Sequence, residues 1–166
     1  LTLGGLTITG TGDFSSSDDN ITVNGAVTND GTLRSPYFAG NTVAVTGTFT
    51  NNGTIVGSDN ANWNFDGAFT NNGTVTATSA TWYQSGSFTD NGTFNANGGT
   101  FYIDTGGGSS MTLTAKADDS TTFYKLTTNV YSTVNLVNNL TVSNDLTFTK
   151  TGSYSGNIIC PANDCV

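Results

Sequence analysis

Thr46-Gly47-Thr48-Phe49-Thr50-Asn51-Asn52-Gly53-Thr54-Ile55 is one of four ungapped versions of the same ten residues. The others run Asn24–Leu33, Asp66–Val75 and Ser85–Phe94. Their second glycines, Gly31, Gly53, Gly73 and Gly92, are spaced by 22, 20 and 19 residues. A recurrence near twenty residues is the mark of a stacked repeat architecture. Within each unit the apolar residues alternate with polar ones. Val27, Phe49, Phe69 and Phe88 share one phase, and Leu33, Ile55, Val75 and Phe94 a later one. Upstream, Ile21, Val43, Trp63 and Trp82 form a further set, and Val23, Val45, Phe65 and Gln84 another. Side chains on a strand alternate between faces, so these sets line one side and the Thr, Asn and Ser residues between them the other. The Asn/Asp-rich tripeptide ending in Gly reads as a turn, because Asn and Gly tolerate a left-handed backbone.

Two all-β arrangements fit this pattern: an antiparallel meander with one hairpin per repeat, and a β-solenoid in which each repeat is a coil. The near identity of successive units favours the solenoid. Residue i then lies over its counterpart one coil away, at roughly the 4.8 Å strand spacing, so like stacks on like. The expectation is an aromatic core with Val27, Phe49, Phe69, Phe88, Ile21, Val43, Trp63 and Trp82 stacked inside, amide and hydroxyl ladders outside, and about eight coils of about 20 residues.

Composition agrees. Of 166 residues, 89 are Thr, Asn, Gly or Ser, Glu and His are absent, and Gln occurs once. Good helix formers are therefore scarce. With 18 aromatic residues and only 10% charged residues, the chain does not have the composition of a disordered one. A net charge of −8 disfavours nucleic acid and anionic membranes as partners, and no apolar run reaches the roughly 20 residues that span a bilayer. The chain opens at Leu1 with no Met and no secretory signal, which reads as a processed chain or a fragment.

Phase blurs over 104–122, where Gly106-Gly107-Gly108-Ser109-Ser110 reads as a loop or distorted corner. It resumes from Phe123 to Lys150, so 1–166 is read as a single solenoid domain. The stretch Phe123-Tyr124-Lys125-Leu126-Thr127 with Asn139-Leu140-Thr141-Val142-Ser143-Asn144-Asp145-Leu146-Thr147 resembles the repeats of secreted bacterial β-helix proteins of the filamentous-haemagglutinin and autotransporter-adhesin type. That resemblance implies a right-handed parallel β-helix at a cell surface, with a structural or adhesive role and no catalytic residue carried across. The short length and the terminal cysteine pair depart from such proteins.

Chemistry is sparse. Without His, no Ser-His-Asp or Cys-His arrangement exists. The adjacent carboxylates Asp18/Asp19 and Asp118/Asp119 point to opposite faces if they lie on strands, so they read as solvated turn residues rather than a glycosidase pair. Asp13, Asp18, Asp19 and Asn20 offer oxygen ligands for calcium but lack the repeated glycine-aspartate pattern of calcium solenoids. No catalytic residue, metal or cofactor is expected. Cys160 and Cys165 read as a short disulfide loop, which implies an oxidising compartment. Five sequons mark Asn20, Asn52, Asn72, Asn91 and Asn139 as candidate glycosylation sites.

The function expected is an extracellular structural protein: a solenoid subunit of a surface filament, stalk or adhesin, with itself as partner through end-to-end β-augmentation. The alternative is a module binding carbohydrate or a surface, for which Tyr83, opposite in phase to the core, is a candidate exposed aromatic. Ice binding is a lesser alternative. It is disfavoured because the Thr28, Thr50, Thr70 column and the Thr32, Thr54, Thr74, Thr93 column are separated by a turn. A polysaccharide-cleaving enzyme would need converging aspartates.

Overall fold

The structure, a computed structural model, describes residues 1–16, 19–58, 60–106, 109–129, 131–151 and 154–160. It is an all-β parallel solenoid of about seven turns, one fewer than the length alone suggests. At one strand spacing per turn the rod is about 34 Å long. Each regular coil contributes three short strands, and we name the three resulting faces A, B and C.

Face A stacks Thr2–Leu3, Ile21–Val23, Thr42–Val45, Asn62–Phe65, Thr81–Gln84 and Thr100–Ile103. Face B stacks Leu6–Ile8, Val27–Asn29, Phe49–Asn51, Phe69–Asn71, Phe88–Asp90, Ser110–Thr114, Thr133–Val137 and Asn157–Ile159. Face C stacks Asp13–Ser15, Thr32–Arg34, Thr54–Val56, Thr74–Thr76 and Thr93–Asn95. Apart from one two-stranded antiparallel pair, Lys150–Thr151 with Tyr154–Ser155, the strand pairs are parallel.

Register follows the sequence recurrence. Phe49 pairs with Phe69 and Phe69 with Phe88, Val43 with Trp63 and Trp63 with Trp82. The rings stack accordingly: Phe69 and Phe88 lie 5.5 Å apart at 5°, and Trp63 and Trp82 5.7 Å apart at 9°. All eight expected core residues are buried. Offset stacking one strand spacing apart adds about 0.5–1.5 kcal/mol per pair to what area burial supplies.

The irregular stretch keeps the stack. Ser110–Thr114 sits on face B with Leu113 over Phe88, so the added length is absorbed in loops on either side. Beyond it the cross-section changes. Thr122–Thr128 begins on face C, where Thr122 pairs with Asn95, and continues onto face A, where Leu126 pairs with Phe101. Thr141–Phe148 repeats that path, with a register shift between Phe123 and Lys125. The corner between faces C and A, a loop in the earlier coils, becomes continuous strand.

The turn glycines are needed for a reason other than the one expected. Gly53, Gly73 and Gly92 do not have positive φ. A Cβ on Gly73 would instead run into the carbonyl oxygen of Gly53 one coil away, and one on Gly53 into that of Gly31. The corner carries glycine because successive backbones approach too closely for any side chain.

Candidate functional site

Polar side chains form two ladders beside the corner between faces B and C. The inner one was not expected inside. Asn29, Asn51, Asn71 and Asp90 are fully buried, against the expectation of amides on the outer surface. Asn29 Nδ2 donates to Asn51 Oδ1 at 2.7 Å, Asn51 to Asn71 at 2.8 Å, and Asn71 to Asp90 at 2.8 Å. Each Nδ2 also donates to a threonine carbonyl of the next coil: Thr54, Thr74 and Thr93 respectively. Both amide hydrogens are thereby used, which makes a buried amide tolerable. The strand phase held the signal. Val27 points in and Thr28 out, so Asn29 points in.

The outer ladder runs the opposite way. Asn52 Nδ2 donates to Asp30 Oδ1, Asn72 to Asn52 and Asn91 to Asn72, at 2.8, 2.9 and 2.9 Å. Each ladder ends on an aspartate, which accepts and cannot donate onward. Asp90 at the inner terminus also accepts from Thr121 Oγ1 at 2.8 Å, and Thr121 Oγ1 accepts from the Lys116 amide. At the opposite end Asn29 Oδ1 has no partner.

Three sequon residues, Asn52, Asn72 and Asn91, are thus the exposed outer ladder itself. Asn20 Oδ1 accepts from the Thr42 amide, and Asn139 Nδ2 donates to Asp119. Asp118 and Asp119 occupy a turn rather than a strand. Asp118 accepts from Ser120, whose hydrogen bonds hold its carboxyl below the usual range, with a smaller contribution from Lys116 at 3.3 Å. Asp13 is paired with Arg34 at 3.1 Å. Asp18 and Cys165 lie outside the described residues, so neither the Asp18/Asp19 pair nor the Cys160–Cys165 loop can be placed. Among the described residues no three of His, Cys, Asp or Glu converge, and no helix is long and apolar enough to cross a membrane.

The two threonine columns lie on different faces. Thr28, Thr50 and Thr70 stack on face B, and Thr32, Thr54 and Thr74 on face C. Tyr83 is exposed and packs against Tyr102 at 5.5 Å on the outside of face A. Tyr37 and Phe38 project from a loop between faces C and A, 75% and 55% exposed.

The ends of the rod remain. In the first coil Leu3, Leu6 and Phe14 are only partly buried. At the other end Leu136, Leu140, Val142, Leu146, Phe148 and Ile158 line an apolar cavity of about 390 Å³. Leu146 and Phe148 there are 46% and 43% exposed.

Comparison with protein-family models, curated proteins and solved structures finds no match to this chain.

Proposed function

We propose that this chain is an extracellular structural protein: a β-solenoid segment of a surface filament, stalk or adhesin whose copies join end to end by β-augmentation. The observation that carries this reading is the agreement in phase between the two ends. Carried one coil further, the face A columns set Leu1 over Leu146 and Leu3 over Phe148. The face B column likewise sets Leu6 over Cys160. Apolar residues meet apolar residues, and the outer edges of the terminal strands, which pair with no further strand among the described residues, offer the donors and acceptors of another parallel ladder. A contact that repeats head to tail without closing builds a filament. The secreted adhesin resemblance of 123–127 and 139–147 supports a surface setting, as does the cysteine pair.

Negative-stain microscopy and small-angle scattering over a concentration series test the proposal. Rods should appear in multiples of the single-chain length. Phe148→Lys, which puts a charge on the exposed end face, should return them to single units while circular dichroism stays unchanged. Monodisperse single rods at every concentration would refute end-to-end joining.

A further inference from the structure

The corner between faces C and A holds a groove created by the change in coil geometry. In the fifth coil the chain turns this corner through Ala96-Asn97-Gly98-Gly99, with Asn97 and Gly98 in the left-handed region at φ 48° and 76°. In the next coil it crosses the same corner as unbroken strand. The two backbones pair at Asn95 and Thr122, and again at Thr100 and Lys125, but not between. Where they part, an open groove of about 410 Å³ forms over Phe94.

Its lining is specific in kind. Tyr124, 37% exposed, stands beside Asn95, Asn97, Ser120, Thr122 and Ser143. Not one lining residue carries a formal charge, although the chain has a net charge of −8. Asn95 Oδ1 accepts from the Asn97 backbone amide at 3.1 Å, leaving its NH₂ group to offer. The hydroxyls of Ser120, Thr122 and Ser143 donate to acceptors of the protein, so their lone pairs remain available. An apolar ring face ringed by uncharged donors and acceptors suits a ligand with C–H faces and many hydroxyls. An anionic chain would be repelled by the protein's overall charge, and no carboxylate lines the groove itself, Asp118 behind it being held by Ser120 and Lys116.

We propose that this groove binds a neutral saccharide, with Tyr124 as the stacking platform and Asn95, Thr122 and Ser143 addressing its hydroxyls. Lys125 Nζ lies 5.9 Å from the Tyr124 ring centroid, so a sugar stacking on the same face would displace it. The groove opens on the side of the rod at the corner between faces C and A, and of its lining only Ser143 belongs to the last strand, Thr141–Phe148.

The test is a titration of isotope-labelled chain with cellohexaose, maltohexaose and chitohexaose at millimolar concentrations, followed by amide chemical shifts. Tri-galacturonate serves as the anionic control. At least one neutral probe should move the resonances of Asn95, Thr122, Tyr124 and Ser143. Tyr124→Ala should weaken that binding roughly tenfold or more, and Tyr124→Phe should largely retain it. Tyr37→Ala, on a distant exposed aromatic, should leave it unchanged. Absence of shifts with all three neutral probes, equal binding by the Tyr124→Ala chain with unchanged circular dichroism, or preference for the anionic control would overturn the proposal.

Discussion

Asn71 donates to Asp90 across one coil at 2.8 Å, both side chains buried, and there the inner ladder stops. A primary amide both donates and accepts, so it passes a hydrogen bond from coil to coil. A carboxylate receives from both sides, here from Asn71 and from Thr121. The ladder therefore has a direction and a defined end, and its members are not interchangeable.

Asn51→Ala should cost about 1–3 kcal/mol of folding stability, because it leaves an Asn29 amide hydrogen without its acceptor in a dry site and takes a donor from the Thr74 carbonyl, while Asn71 Oδ1 keeps only the Gly73 amide. Asn52→Ala, one residue on but in the exposed ladder, should change stability by no more than about 0.5 kcal/mol. Urea unfolding of the two variants side by side makes the comparison. Equal losses would show that burial of the inner ladder does not matter.

Gly73→Ala should prevent the native stack from forming, since its Cβ meets the Gly53 carbonyl and backbone cannot be moved aside cheaply. Gly98→Ala is the contrasting case. Its surroundings are open, and the cost is the left-handed backbone alone, about 1–2 kcal/mol. Yields of folded protein and melting temperatures of the pair measure the difference.

Phe69→Ala removes the central ring of a stack that contacts Phe49 at 5.0 Å, Phe65 at 4.8 Å and Trp82 at 5.0 Å. A loss of about 3–5 kcal/mol is expected, as for other buried aromatics. Phe69→Leu should recover a good part of it, and denaturant midpoints report both.

Tyr102 supplies the pH dependence. Partial burial, with the charge of Asp104 and the neighbouring Tyr83 adding to it, raises its phenol above the ordinary value. The unfolded chain then loses this proton first as pH rises. Stability is fully present below the ordinary tyrosine pKa of about 10 and declines as pH climbs through the raised folded value. Tyr102→Phe should flatten this alkaline decline, as read from unfolding curves at stepped pH. An unchanged slope would show that Tyr102 is not its source.

Much of the fold is legible from Phe49, Phe69 and Phe88. Alternation sets which way each ring faces, and the near-twenty-residue recurrence sets what it lies on. Asn29, Asn51 and Asn71 obey the same alternation, yet their polarity argues for the surface. Only the partner one coil away makes their burial affordable. The role of Gly73 is hidden for a related reason, because contact between coils, not local backbone preference, imposes it. The groove at Tyr124 depends on Thr122–Thr128 crossing as unbroken strand a corner that the coil before turns at Asn97 and Gly98, a change that leaves no periodic trace.

The opposed ladders also bear on how such a rod can change length. Asp30 closes one and Asp90 the other, like punctuation at the two ends of a sentence. Between them Asn51/Asn52 and Asn71/Asn72 are equivalent, 20 residues apart. Duplicating residues 52–71 within the gene would insert one more self-consistent rung in each ladder and leave both terminators and both end faces untouched. The molecule is in this sense a ruler whose graduations can be multiplied by simple tandem duplication.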